Sequence, residues 1–162
     1  SNLGLERFLT ERGLRLLRTA VGDRYVVEAM RAGGYNLGGE QSGHIVMTDY
    51  ATTGDGLLAA LTLLDLVRRS GRTLADLAAD AMTRLPQVLV NVAVDAPMPD
   101  VTDRIAGSIE SVRAELGDEG RVLVRPSGTE PVVRVMVEAT DHELAGRVAG
   151  ELADAVRAVA AR

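Results

Sequence analysis

The chain reads as an α/β segment followed by a smaller α+β unit: part of a mixed-sheet domain, then a small, largely antiparallel sheet with its helices on one face. Three observations predict this. Apolar residues recur at helical spacing in stretches as long as Asp141 to the C-terminus, and short valine-rich runs stand between such stretches. The pair Leu85-Pro86 separates two halves of different rhythm, and a residue before proline is pushed out of helical geometry. At 162 residues there is room for two small cores. The expected division is residues 1–85 and 86–162.

In the first half, Ser1-Asn2 caps a helix from Leu3 to about Glu11, stopped by Gly13. Leu14 to Arg18 reads as a short strand that enters the turn Val21-Gly22-Asp23-Arg24 and a second helix ending at Gly33-Gly34. Loops at the carboxyl ends of strands collect ligands in open α/β sheets, so Asp23 and Arg24 are candidates to line a site; the alternative is a capping aspartate beside a solvated arginine. Gly38 to His44 then precedes the apolar Ile45-Val46-Met47. In an extended segment Glu40, Ser42 and His44 project to one side, aligning an acceptor, a hydroxyl and an imidazole suited to sugar hydroxyls. A serine nucleophile with His44 as base competes, but G-x-x-S-G is not the G-x-S-x-G elbow. Asp55 opens a helix from Leu57 to about Arg69 with Leu57, Leu61 and Leu64 on one stripe, and a further helix runs from Thr73 to about Arg84. A single aspartate in a glycine-rich turn suits free N–H groups at a helix start better than magnesium.

In the second half, Gln87 to Val94 is a strand, Val101 to Leu116 a helix ended by Gly117, and Arg121–Val124 and Val132–Val137 are strands flanking a polar loop. The last helix carries Leu144, Val148, Leu152, Val156 and Val159 on one face. The order β-α-β-β-α predicts helices on one side of the sheet.

The loop Arg125-Pro126-Ser127-Gly128-Thr129-Glu130-Pro131 combines a guanidinium fork, two hydroxyls and a glycine that lets backbone N–H groups converge, a set suited to a phosphate dianion. An ordinary hairpin turn with solvated polar residues is the competing reading.

Composition narrows the classes. Aromatics are 2% of residues against 46% hydrophobic, which argues against base stacking, and a formal charge of -5 without a basic block argues against nucleic-acid or anionic membrane partners. The absence of cysteine removes thiol chemistry, and two histidines exclude a multi-histidine metal site. His142, beside Asp141 at a helix start, is read as a surface residue. No apolar run approaches the roughly 18 residues of a membrane span, and a cytoplasmic protein is expected.

Six segments in order, Ser1 to Leu5, Val21 to Tyr25, Gly38 to His44, Thr52 to Gly56, Pro86 to Val92 and Arg125 to Pro131, resemble the C-terminal part of the bacterial phosphoglucosamine mutases of the α-D-phosphohexomutase superfamily. The resemblance implies most of the third domain and all of the fourth. It implies a sugar-recognition loop at Gly39, Glu40, Ser42 and His44, and a phosphate-binding loop at Arg125, Ser127, Gly128 and Thr129. Arg134 either supports that loop or is an outward strand arginine. It further implies interconversion of glucosamine 6-phosphate and glucosamine 1-phosphate on the route to UDP-N-acetylglucosamine and cell wall; Leu85-Pro86, between the two halves, is read as a hinge. The family's phosphoserine and magnesium segments have no counterpart in this sequence, so no catalytic and no metal residue is expected here. The expected partners are a phosphosugar and the N-terminal domains of the same polypeptide, with a homo-oligomer as a further option. A phosphomannomutase or phosphoglucomutase fragment and a stand-alone phosphosugar-binding module are the alternatives.

Overall fold

Asn2 opens the first helix, its side chain accepting from the Gly4 amide at 3.0 Å, in a computed structural model that describes residues 1–128 and 130–161. Two units follow one another along the chain, Ser1–Thr83 and Arg84–Arg162. The first carries α1 (Leu3–Thr10), α2 (Asp23–Gly33), the hairpin strands β1 (Leu37–Gly39) and β2 (Ile45–Met47), α3 (Gly56–Ser70) and α4 (Leu74–Ala81). Each helix has a local reason for its ends. Gly34 closes α2 in the left-handed conformation at φ 68°. The Asp55 carboxylate takes the Leu57 and Leu58 amides at 2.9 and 3.0 Å and so is spent on capping α3. Thr73 and Asp76 form a reciprocal capping box at the start of α4.

Four expectations for this unit are corrected. Leu14 to Arg18 is not a strand: no strand among the described residues pairs with it, and a lone extended segment has no ladder for its N–H and C=O groups. The segment is fastened to α1 instead, through Arg18 donating to Glu6 and to the Ser1 carbonyl, each at 2.8 Å. The second correction is that α4 ends at Ala81 rather than near Arg84. A Cβ on Gly4 would lie 2.0 Å from the Thr83 carbonyl, so Thr83 is held against α1, and Met82 is extended at φ -170°. Third, the Leu57, Leu61 and Leu64 stripe of α3 is exposed, at 72, 57 and 63%. Among the described residues of this unit Met30 and Val46 are the buried large apolar side chains. Fourth, residues 40–44 are a turn and not an extended run, as described below.

The second unit has its own core. β3 (Gln87–Ala93), β4 (Arg121–Pro126) and β5 (Val132–Glu138) form an antiparallel sheet in the order β3-β5-β4. Valines at alternate positions of β4 and β5 point to one face and meet the apolar face of α7 (His142–Ala160) and residues of α6 (Ala106–Leu116). Val135, Val137, Val148, Leu152 and Val156 are 0% exposed. Asp141 caps α7 by accepting from Leu144 N at 2.7 Å. The single helix expected over 101–116 is interrupted: α5 (Val101–Arg104) and α6 are separated at Ile105, with φ -114° and ψ 21°. The β-branched Val101, Thr102 and Ile105 and the following Gly107 weaken helix propensity there. Hydrogen bonds from Ile105 N to Val101 O and from Ile109 N to Ile105 O cross the break, so the core-facing stripe is kept.

The register of the sheet places unlike rows on its other face. Leu89, Met136 and Leu123 form one row, and Asn91, Arg134 and Arg125 form the next. At the far end Glu138 is fully buried and takes Arg121 through both oxygens, at 3.1 and 3.2 Å.

Candidate functional site

The polar loop of the first unit is a tight β-hairpin. Gly39 pairs with Ile45, the Glu40 amide donates to the His44 carbonyl at 2.9 Å, and the Gly43 amide donates back to the Glu40 carbonyl at 3.1 Å. Gly43 sits at φ 98°, a conformation that side chains with a Cβ rarely adopt. Glu40, Ser42 and His44 therefore converge through the turn, where strand alternation was expected to align them. Ser42 Oγ is 3.0 Å from His44 Nδ1, and Glu40 Oε2 is 4.0 Å from the same nitrogen. A hydrolytic triad needs serine on one ring nitrogen and carboxylate on the other. Here both approach Nδ1, so the geometry is that of a polar cluster rather than a nucleophile and its base. Such a cluster presents acceptors and a hydroxyl at an exposed tip, with Glu40 the least exposed member at 19%.

Gly22, which precedes α2, donates its amide to Glu40 Oε1 at 3.0 Å. Of the two neighbours singled out in the sequence, Asp23 does not cap the helix; its carboxylate accepts from the Arg24 amide at 2.7 Å. Arg24 pairs along the helix with Glu28 at 2.7 Å, and that contact raises the guanidinium pKa.

The polar loop of the second unit joins β4 to β5. Arg125 and Pro126 belong to β4 itself, and the Ser127 amide closes the hairpin by donating to the Val132 carbonyl at 2.8 Å. Arg125 stands directly opposite Arg134 in register, and Asn91 stands opposite Arg134 on its other side. Like charges opposed across an antiparallel pair repel. Arg134 is partly compensated by Glu130 at 3.2 Å, whereas no carboxylate among the described residues pairs with Arg125. Two such guanidinium groups are able to donate charge-assisted hydrogen bonds to an anion. Gly128 is not in the left-handed region, and a Cβ there would meet nothing within 4 Å. Thr129 lies outside the described residues.

Two participants were missed in the sequence. Gly22 acts through its amide, which no residue-type pattern advertises, and Asn91 is 34 positions from Arg125, so only the strand register joins them. Among the described residues no three His, Asp or Glu side chains gather as a metal site, and no helix is long and apolar enough to cross a membrane.

An antiparallel three-stranded sheet after an α/β segment with a polar β-turn is the architecture of the last two domains of a phosphohexomutase. Residues 1–85 match the family model for phosphoglucomutase/phosphomannomutase α/β/α domain III, and residues 89–155 match the model for the C-terminal domain of the same enzymes. The chain belongs to the phosphoglucomutase/phosphomannomutase family. Within it, phosphoglucosamine mutases are among the curated relatives it matches: the protein of Thermobifida fusca is 60% identical over 158 residues, and that of Leifsonia xyli 58% identical over the same number. Each alignment covers 97% of this chain and 35% of the relative, so the chain spans about a third of the length of these enzymes and corresponds to their C-terminal part. A solved structure of Aspergillus fumigatus N-acetylphosphoglucosamine mutase superposes with a TM-score of 0.83 at 23% identity, covering 99% of this chain and 37% of that one. A second structure of that enzyme, in complex with GlcNAc-6P and magnesium, matches over 67% of this chain and 22% of its own, at 28% identity and a TM-score of 0.57.

Proposed function

We propose that this chain is the substrate-binding C-terminal part of a phosphoglucosamine mutase, an enzyme interconverting glucosamine 6-phosphate and glucosamine 1-phosphate through a bisphosphate on the cytoplasmic route to UDP-N-acetylglucosamine and peptidoglycan. The observation that carries the reading is the opposition of Arg125 and Arg134 at the mouth of the β4-β5 hairpin, an arrangement that a phosphate would relieve. The names of its relatives supply the sugar. In this reading the residue 1–85 domain presents Glu40, Ser42 and His44 to sugar hydroxyls, with Asp23 and Arg24 near the same loop. The residue 86–162 domain holds the phosphate that is not being transferred, through Arg125, Ser127, Gly128, Thr129 and Arg134.

Holding the distal phosphate contributes by placement, since phosphoryl transfer depends mostly on positioning and electrostatics. Arg125 and Arg134 supply charge-assisted donors to the phosphate oxygens, and the Ser127 hydroxyl is a further donor. Glu40 accepts from sugar hydroxyls or an ammonium and so selects the sugar. The resemblance puts the magnesium of the full enzyme on a segment of another domain, where several oxygens would meet the demand of a hard cation. No nucleophile for the phosphoryl group is assigned in this chain either, so transfer requires the rest of the polypeptide.

The test is a phosphorus NMR assay of glucosamine 6-phosphate conversion by the complete polypeptide and by this chain alone. Conversion by the former and none by the latter is expected. Turnover by the isolated chain would refute the assignment of catalysis to other domains, and preference of the complete protein for mannose or glucose phosphates would replace the hexosamine reading.

A further inference from the structure

We infer that Gly22 is a positioning residue for Glu40, and that its amide fixes which carboxylate oxygen is left to meet a sugar. This deepens the sugar-loop reading and rests on it. The Gly22 amide donates to Glu40 Oε1 at 3.0 Å across 18 residues of sequence, in a partly buried contact. Gly22 is the N-cap position of α2 and has no side chain to cap it. Glu40, reaching over from the hairpin, therefore does for the start of α2 what a capping carboxylate does, and it stands at the positive end of an 11-residue helix dipole. One interaction thus ends the helix and aims the glutamate.

The backbone of Gly22 makes this possible. It lies at φ 135° and ψ 136°, a region essentially confined to glycine, and a Cβ on it would come within 3.3 Å of Tyr25 Cδ2. An alanine would have to leave that conformation, which turns the N–H away from Glu40. On the other side of the carboxylate, Oε2 lies 4.0 Å from His44 Nδ1, which is already in contact with Ser42. Oε1 is engaged, and Oε2 is the oxygen with capacity for a ligand hydroxyl or ammonium.

The tether also fixes the outcome of a Gln substitution. An amide N–H can only donate, so Glu40→Gln must turn its carbonyl oxygen to Gly22 and place its NH₂ where Oε2 stood. The loop would then offer a donor in place of an acceptor while its fold is unchanged.

Solution NMR of this chain tests the proposal. The Gly22 amide proton should be protected from exchange in the unsubstituted chain, lose that protection in Glu40→Ala and keep it in Glu40→Gln. Titration with glucosamine 6-phosphate and with inorganic phosphate then separates positioning from folding. Gly22→Ala and Glu40→Gln should each weaken glucosamine 6-phosphate by about tenfold, the scale of one charge-assisted hydrogen bond, with inorganic phosphate affinity within about twofold of the unsubstituted chain. A Gly22 amide indifferent to Glu40 would overturn the tether. A coupled amide with sugar-phosphate affinity unchanged in both variants would overturn the positioning role. If the amide is coupled but the unsubstituted chain does not distinguish glucosamine 6-phosphate from inorganic phosphate, the tether stands and the sugar-loop reading fails.

Discussion

Replacing Arg125 by glutamine removes one of two opposed charges while keeping the bulk of the side chain, and its effects on folding and on binding should have opposite signs. Arg125 and Arg134 face each other on neighbouring strands, whose spacing is about 4.8 Å. Guanidinium groups roughly 6 Å apart repel by about 0.7 kcal/mol with water-like screening and about 3 kcal/mol at an effective dielectric of 20. Arg125 is half-buried and Arg134 is drawn partly towards Glu130, so a net repulsion near the lower figure, about 0.5–1 kcal/mol, is expected. Arg125→Gln should therefore raise the melting temperature of the second unit by about 3–6 °C at low salt, and the gain should vanish near 1 M salt, where the Debye length is about 3 Å. Inorganic phosphate should stabilise the unsubstituted chain and fail to stabilise the variant, with phosphate binding weaker by about 1.5–3 kcal/mol. The assay is thermal unfolding followed through β5 amide resonances, with and without phosphate. A variant less stable by more than 1 kcal/mol, or one that phosphate stabilises as well as the original, would refute the reasoning about this charged row.

Three further outcomes follow from packing and charge. Leu152→Ala, at a fully buried position of α7, should cost about 2–5 kcal/mol of unfolding free energy for the second unit, measured by urea denaturation. Amide exchange should be slow in β5 and α7 and fast in α3 and α4, because the second unit buries a contiguous core while the leucines of α3 stand exposed; uniform protection in both units would contradict this. Asp65 accepts from Arg68 and Arg69, contacts that hold its carboxyl below the usual aspartate range. Its native pKa being depressed, the contribution to stability is present above the unfolded-state aspartate pKa and is lost as pH falls through the depressed value. The Asp65 side chain is 37% exposed, so solvent and salt reach the contact and carbon NMR should show the low midpoint returning towards the ordinary value in high salt.

The second unit was more legible than the first because its signals are local and self-contained. Alternating valines in β4 and β5, the Asp141 cap and the four-residue rhythm of α7 each specify an element whose partners lie within the same 80 or so residues. Among the described residues of the first unit, Leu14 to Arg18 has strand-like composition but meets no ladder, and the α3 stripe has helical rhythm but no covering layer. Composition reports what a segment could bury, and the available partners decide whether it does.

The candidate site divided in a similar way. Residue types identified the Glu40 and Arg125 loops, but not the geometry that gives each its character. Glu40, Ser42 and His44 meet because Gly43 takes a positive φ and turns the chain, which sequence spacing read as strand alternation. Arg134 faces Arg125 because of a register set by valine packing on the opposite face of the sheet. Gly22 enters through its backbone alone.

The central claim is that this chain recognises a phosphosugar, and a titration of the 162-residue chain with glucosamine 6-phosphate tests it most directly, with glucosamine as the control. Saturable shifts at Arg125, Ser127 and Gly128, together with Glu40 and Ser42, for the phosphosugar and not for glucosamine are predicted. Equal responses to both sugars, or a response to neither at millimolar concentration, would contradict it.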